Sequence, residues 1–405
     1  MSIISVFSGV FCKAEQVIEE VRSSTGLEVL SDSEAVKAAH EISGISAEKI
    51  RRAFAARTSV FNKFTHEKEC SVAYLRLALA DRISKDNLII NGFAGQLIPT
   101  TISHLLRVAL IGDVNFRLGV AAQTEGLSEK QAQKRLRSHD EDCAAWIDYL
   151  HRAPKDCWDP ELYDLFIPMN KTSVEHASAL IAENVLKPVL QTTPASQKAV
   201  KDFRLAAEVE VALVGQGHNV DVSADGGAVT LSIHKQVLML GRLEDELRAI
   251  ASKVNGVDEV DIKASHTYHQ ANIYRKHDFS LPDRVLLVDD ERDLVQTLSE
   301  RLQMRDMGSA VAYDGESALK LVRDDDPEVM IIDLKMPGID GLEVLRKVKE
   351  TRPQIEVIIL TGQGSEDDKA QCLELGAFGY LQKPVDIEKL SDMLKRAHDK
   401  IRAEQ

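Results

Sequence analysis

The chain has 405 residues, of which 44% are hydrophobic and 28% charged, and its formal net charge is −14. A chain of this length predicts two or three domains rather than a single hydrophobic core. No stretch approaches the run of about 18 apolar residues that a membrane span requires, so we expect none. The acidic surface repels the phosphate backbone of nucleic acids, which argues against direct DNA binding.

The five cysteines lie far apart in the sequence and form no C-x-x-C pair. This spacing predicts neither a disulfide framework nor a zinc site, and it fits a protein of the reducing cytoplasm. The amino terminus has a short apolar run with no basic residue before it and no small-residue cleavage site. We therefore interpret this run as a buried strand and not as a signal peptide.

Residues 1–195 begin with a strand-like apolar run at 3–7 and continue with mostly helical apolar spacing. A second buried strand is predicted at 87–90. The predicted helices that precede it cover residues 15–22, 33–42 and 72–83. The turn-forming composition of QTTPASQ at 191–197 predicts a linker, so we place the end of the first domain at residue 195.

Residues 200–266 are predicted to form a smaller αβ module. Two alternating runs around Asp225-Gly226-Gly227 predict a β-hairpin. The other predicted elements of this module are helices at 201–215 and 242–254 and a strand at 259–263. The polar, histidine-rich residues 267–282 contain no complete metal-ligand spacing, so we interpret them as a solvated linker.

In residues 283–405, short apolar runs alternate with amphipathic helices. Five such βα units predict a doubly wound parallel sheet with helices on both faces. The chemistry of such sheets takes place at the carboxyl ends of the strands. The polar residues at these predicted ends are Asp289, Asp290, Asp333, Thr361 and Lys383. We therefore expect their side chains to converge in one crevice.

The residue types in this crevice predict phosphoryl transfer. Three carboxylates at close range require a cation, and oxygen ligands with open positions suit Mg²⁺. One carboxylate can then accept a phosphoryl group while Mg²⁺, Thr361 and Lys383 neutralise its oxygens. The simpler interpretation, that each aspartate only caps a helix or ends a strand, would explain one of them but not five polar residues in order.

Residues 284–403 resemble the response-regulator receiver family in the motifs VLLVDDE, IIDLKMPGIDG, ILTGQG and GAFGYLQKP. The resemblance implies a flavodoxin-like fold, a phosphoacceptor at Asp333 and a partner histidine kinase as phosphodonor. The other implied roles are Mg²⁺ ligation by Asp290, Asp333 and the backbone carbonyl of Lys335, ligation through water by Asp289, phosphoryl contact by Lys383, and switching by Thr361 and Tyr380.

Most of residues 1–190 resemble the cytidylate-kinase-like branch of the P-loop nucleoside monophosphate kinases, in segments such as NLIINGFAG and WDPELYDLFIPMNKTS. The resemblance implies a P-loop α/β fold. The frame G-x-x-x-x-G-K-[ST] falls on residues 7–14, where Lys13 is retained but the framing glycines and the metal-binding hydroxyl are missing. Phe93 and Cys143 stand where the resemblance implies arginines.

These departures predict a kinase-like fold that has lost its activity, because phosphoryl transfer depends on the placement of cations. Gly9, Lys13 and Arg117 are the candidates for residual nucleotide binding. Residues 200–266 resemble a BON-type module, which implies binding of a lipid or partner surface, although a spacer or a dimerising unit is an equally open alternative.

We therefore predict a cytoplasmic response regulator whose receiver signals to a kinase-like domain, with an unidentified downstream partner and with a homodimer left open. The main alternative is a nucleoside monophosphate kinase that is gated by phosphorylation. A DNA-binding regulator is disfavoured by the acidic charge and by the lack of a helix-turn-helix pattern.

Overall fold

The structure is a computed structural model, and the residues it describes are 3–85, 87–234, 240–264, 280–362 and 366–404. The chain divides into two compact units, Met1–Thr58 with Glu67–Tyr274 and Ser59–His66 with Arg275–Gln405. The three domains and the linker predicted from the sequence are a finer division and stay a prediction. Residues 267–279 of that linker lie outside the described residues. Among the helices described, none is long and apolar enough to cross a membrane.

The first unit begins with a five-stranded parallel sheet in the spatial order β2-β3-β1-β4-β5. Its strands are β1 (Ile3–Ser8), β2 (Glu28–Ser31), β3 (Leu88–Asn91), β4 (Leu105–Ile111) and β5 (Leu165–Pro168). The helices of this part of the chain are α1 (Ala14–Thr25), α2 (Asp32–Ser43), α3 (Ala47–Arg52), α4 (Asn62–Thr65, which belongs to the second unit), α5 (Glu67–Ile83), α6 (Val114–Glu125), α7 (Glu129–His151) and α8 (Val174–Val185).

Strand β1 is buried over Ile3–Phe7 and carries mostly apolar side chains there, because both of its faces are covered. Ile3 and Phe7 point into one hydrophobic core, whereas Ile4 and Val6 point into another. Alternate residues of a strand face opposite sides of a sheet, so a central strand between two helical layers has no polar face. This arrangement agrees with a P-loop-like α/β domain.

The first unit continues with a helix that is longer than the sequence predicts. Helix α9 runs over Pro194–Val214, with the Thr193 side chain accepting a hydrogen bond from the backbone N–H of Ser196 at 3.1 Å. The linker prediction for 191–197 is therefore wrong for its second half. Turn-like composition was misleading there because threonine and proline are also the residues that begin helices.

A three-stranded sheet follows α9, and it contains the predicted hairpin. Its strands are β6 (Asp221–Asp225), β7 (Ala228–Ile233) and β8 (Glu259–Ala264), with helix α10 (Leu240–Ala251) before β8. Strands β6 and β7 are antiparallel, and β8 lies parallel to β7. Gly226 and Gly227 form the two-residue turn with φ of 57° and 92°, conformations that glycine adopts without the strain of a side chain. The relation to BON modules stays a prediction.

The second unit contains the predicted doubly wound sheet, in the spatial order β10-β9-β11-β12-β13 with all pairs parallel. Its strands are β9 (Val285–Val288), β10 (Ser309–Ala312), β11 (Val329–Asp333), β12 (Glu356–Thr361) and β13 (Gly379–Gln382). Its helices are α11 (Arg292–Gln303), α12 (Gly315–Asp325), α13 (Gly341–Thr351), α14 (Glu366–Glu374) and α15 (Ile387–Glu404). This is the strand order of the flavodoxin-like fold.

The second unit also includes Ser59–His66, which the sequence patterns do not assign to it. The backbone N–H of Val60 donates to Asp325 Oδ1 at 3.2 Å. Phe61 is only 1% exposed. A short segment from the first part of the chain therefore contributes to the packing of the carboxyl-terminal unit.

Candidate functional site: the carboxyl ends of the second parallel sheet

The neighbouring strands β9 and β11 bring three carboxylates together at the carboxyl edge of the sheet. One oxygen each of Asp289, Asp290 and Asp333 lies within 4.8 Å of the others. Asp289 and Asp333 are buried, with 3% and 5% exposure, while Asp290 is exposed. A compact set of carboxylate oxygens with one side open to solvent is the donor set that Mg²⁺ prefers. These residues fit a magnesium ion.

Lys383 follows β13 and reaches the same carboxylates. Its Nζ lies 2.7 Å from Asp289 Oδ2, 2.9 Å from Glu291 Oε1 and 3.1 Å from Asp333 Oδ2. Burial alone would lower the pKa of Lys383, but hydrogen bonds to the carboxylates raise it above its ordinary value. Burial raises the pKa of Asp289, and its ion pair with Lys383 at 2.7 Å offsets part of this effect. The lysine is therefore charged near neutral pH and balances one of the negative charges of these carboxylates.

The other residues predicted for this site lie on β12, on β13 and in the loop after β11. Thr361 ends β12 and is 1% exposed, and Tyr380 lies half-buried in β13. Lys335 lies exposed just beyond β11. The peptide bond between Lys383 and Pro384 is cis. The roles assigned to these side chains stay predictions.

Sequence reasoning missed Glu291 as a partner of Lys383. It directly follows the aspartate pair, so its position in the DDE triplet was an available signal. Its carboxylate is the third negative group in contact with the ammonium group of Lys383.

In the first unit, the loop between β1 and α1 is occupied by the side chain of Arg117. Its Nε donates to the carbonyl oxygen of Val10 at 2.9 Å, and its two terminal nitrogens donate to Asp140 at 2.7 and 2.9 Å. The Arg117 side chain is 7% exposed. Arg117 is thus engaged with the protein's own carboxylate at the place where a P-loop would present cations to a phosphate.

Lys13 contacts an aromatic ring, whereas Arg117 contacts a carboxylate. It is the residue before α1, with a left-handed φ of 58°, and its Nζ lies 5.7 Å from the centre of the Phe116 ring. Gly9 lies beside Arg117, since a Cβ added to Gly9 would be 3.5 Å from the Arg117 Cζ atom. The structure therefore brings Gly9 and Arg117 together, while Lys13 lies against an aromatic ring.

The two residues that replace expected arginines lie in or against a hydrophobic core. Phe93 makes an edge contact with Phe7 and stacks with Phe54, each with ring centres 5.5 Å apart. Cys143 is fully buried in the same core. Two backbone N–H groups, of Phe93 and Ala94, donate to Asp32 at 2.9 and 2.8 Å. Apolar side chains thus pack where the kinase resemblance implies charged ones.

Comparison with known families agrees with the receiver resemblance and with the cytidylate-kinase-like resemblance. Residues 285–395 match the family described as "Response regulator receiver domain". They form a receiver domain. Residues 3–171 match the family described as "Cytidylate kinase-like family". They form a cytidylate kinase-like domain.

Similar proteins include the transcriptional regulatory protein CpxR of Escherichia coli strain K12, which is 40% identical over 120 residues, 29% of this chain and 51% of CpxR. The response regulator MprA of Mycolicibacterium vanbaalenii is 36% identical over 110 residues, 27% of this chain and 48% of MprA. The chain thus spans about half the length of these curated relatives.

Among solved structures, a response regulator receiver domain protein from Clostridium thermocellum is 31% identical. The similarity covers 30% of this chain and 98% of that one, with a TM-score of 0.29.

Proposed function

We propose that this protein is a two-component response regulator of the cytoplasm that accepts a phosphoryl group on Asp333 from a partner histidine kinase. The observation that carries the proposal is the convergence of three carboxylates and one lysine at the carboxyl edge of the receiver sheet. A carboxylate oxygen of Asp333 forms the new bond to phosphorus while the bond between phosphorus and the donor's imidazole nitrogen breaks.

Asp289, Asp290 and Asp333, with the backbone carbonyl of Lys335, would hold Mg²⁺. When bound, this ion would neutralise charge on the phosphoryl oxygens. Lys383 supports the same step because its Nζ already lies 3.1 Å from Asp333 Oδ2. A phosphoryl group on Asp333 adds about two negative charges, and Lys383 can exchange its bonds to the carboxylates for bonds to the new oxygens.

We propose that Thr361 and Tyr380 transmit this change to the surface of the receiver. The new phosphoryl oxygens attract the buried hydroxyl of Thr361, and the space that it leaves lets the half-buried ring of Tyr380 move inward. The output is then an altered protein surface, read by another protein or by the kinase-like domain.

We further propose that the kinase-like domain serves as a sensing or docking element without nucleoside monophosphate kinase activity. The support is the engagement of Arg117 by Asp140 and the packing of Phe93 among aromatic rings. A phenyl ring cannot neutralise a transferring phosphoryl group, and Arg117 would first have to leave Asp140 to do so; this neutralisation is the main catalytic contribution in such enzymes.

The receiver function is tested by incubating the full chain with acetyl phosphate and Mg²⁺ and measuring the increase in mass. We expect one phosphoryl group on the parent protein and none on Asp333→Ala. The exposed Asp293 of α11 provides the matched control, and Asp293→Ala should be modified like the parent. Equal modification of Asp333→Ala and the parent would contradict the proposal.

The kinase alternative is tested separately with ATP, Mg²⁺ and CMP or dCMP. We expect no nucleoside diphosphate to form. Turnover that disappears in Lys13→Ala would show instead that the first domain is a working kinase.

A further inference from the structure

A cavity of about 400 Å³ lies inside the first unit, lined by α5, the end of α7, α9 and β6. Its volume lies within the range of small-molecule sites, roughly 300–1,000 Å³. Neither the receiver residues nor the loop around Gly9 contributes to its lining. The cavity is therefore separate from both sites considered above.

One wall of the cavity carries an ion pair between α5 and α9. Arg76 Nη1 donates to Glu210 Oε1 at 2.5 Å. The two side chains are 28% and 13% exposed, respectively. Because both groups are largely withdrawn from water, a ligand in the cavity would interact with them with little screening.

This ion pair uses only part of the bonding capacity of its two members. Within the part of the chain that the structure describes, no other hydrogen bond is made by the side chain of Arg76 or of Glu210. The Nε and Nη2 atoms of Arg76 and the Oε2 atom of Glu210 therefore remain available to bond a ligand. A guanidinium edge of two N–H donors matches a carboxylate in bidentate geometry, and a carboxylate oxygen accepts from an ammonium group.

The adjacent positive charge of Arg76 and negative charge of Glu210 favour a ligand that carries one positive and one negative charge. A simple anion would bind Arg76 but be repelled by Glu210, and a simple cation would meet the opposite conflict. The four other charged lining residues are already engaged, since Asp221 pairs with Arg152, Asp202 pairs with Lys198 at 3.0 Å, and Glu69 also has an interaction within the protein. The uncommitted donors and acceptor of the Arg76–Glu210 pair are therefore the groups we assign to a ligand.

One part of the cavity wall is apolar, where Leu97, Pro99 and Phe203 line it. Leu97 and Phe203 are 5% and 8% exposed. We propose that this cavity binds an α-amino acid with an apolar side chain. The ligand carboxylate bonds to Arg76, its ammonium group bonds to Glu210, and its side chain packs against the apolar wall.

The proposal is tested by titrating the full chain calorimetrically with three ligands of one skeleton: L-phenylalanine, 3-phenylpropionate and 2-phenylethylamine. We expect L-phenylalanine to bind at least about tenfold more tightly than the other two, because only it satisfies both charged groups. Arg76→Lys keeps the charge but loses the two-donor edge, so it should weaken binding about tenfold or more. Absence of binding to L-phenylalanine at millimolar concentration, or equal binding of all three ligands, would overturn the proposal.

A second pair of variants separates binding from folding. Ala206 of α9 lines the cavity, whereas Ala195 of the same helix is exposed. Ala206→Phe should abolish the binding of L-phenylalanine, and Ala195→Phe should retain it. If both variants bind like the parent, the ligand lies elsewhere and the proposal fails. Asp333→Ala should bind L-phenylalanine normally, so this result does not depend on the receiver function.

Discussion

Replacing Glu328 with glutamine should destabilise the carboxyl-terminal unit at pH 7, and this loss should disappear in acid. Glu328 Oε1 accepts a hydrogen bond from Arg284 Nη2 at 2.6 Å, and Glu328 Oε2 lies 3.2 Å from His398 Nδ1. The Glu328 side chain is 15% exposed. Burial alone would raise the pKa of Glu328, but the hydrogen bond with His398 and the charge of Arg284 outweigh it and lower the pKa to about 2.

The magnitude follows from the difference between the pKa of the folded and the unfolded chain. A fall from the ordinary 4.5 to about 2 corresponds to about 3 kcal/mol of unfolding free energy. Because the folded pKa is the lower one, this stabilisation is present above pH 4.5 and is lost as the pH falls through about 2. The Glu328→Gln variant should thus be less stable than the parent at neutral pH and similar to it near pH 2.

Hydrogen exchange of peptides from the receiver, measured under increasing urea, gives the unfolding free energy of this unit at each pH. Glu343→Gln is the control, since Glu343 forms an exposed ion pair with Arg346 of the same helix and should change stability much less. A deficit in Glu328→Gln that is equal at neutral and acidic pH would show that packing, not ionisation, is responsible. A variant as stable as the parent at pH 7 would refute the reasoning altogether.

Three further predictions concern the sites of the two units. Lys383→Met removes the cation that contacts Asp289 and Asp333, so phosphorylation by acetyl phosphate, followed by mass, should slow roughly 100-fold. Phe93→Ala removes a partly buried ring from the aromatic packing around Phe7 and Phe54, which should cost about 2 kcal/mol of stability in urea unfolding followed by tryptophan fluorescence; no change would contradict that packing. Burial raises the pKa of Asp32 to about 6, so the stability of the parent relative to Asp32→Asn should fall as the pH rises from 3.8 to about 6, and a pH-independent difference would contradict this.

The receiver domain was predictable from the sequence because its chemistry follows from local order along the chain. In each βα unit a short apolar run predicts the strand, and the carboxyl ends of parallel strands meet at one edge of the sheet. The positions of Asp289, Asp333 and Lys383 relative to those runs were therefore sufficient to predict that they lie together. The hairpin around Gly226 was predictable for a similar reason, since its turn and both strands are contiguous.

The replacements in the kinase-like domain were visible in the sequence, but their consequences were not. The sequence has Phe93 and Cys143 where the kinase resemblance implies arginines. Only the folded chain shows that Phe93 packs between Phe7 and Phe54 and that Arg117 is engaged by Asp140. These contacts join residues far apart in sequence, and periodicity carries no information about such pairs.

The same limit explains the two features that no sequence pattern predicted. Arg76 and Glu210 are 134 residues apart and meet because α5 packs against α9, and Ser59–His66 joins the second unit through packing rather than through a motif. Local sequence determined most of the elements and the strand ends at which the predicted phosphoacceptor Asp333 lies, because those depend on the spacing of neighbouring residues. Tertiary structure alone decided which distant side chains share a cavity or form an ion pair, because that depends on how completed elements pack.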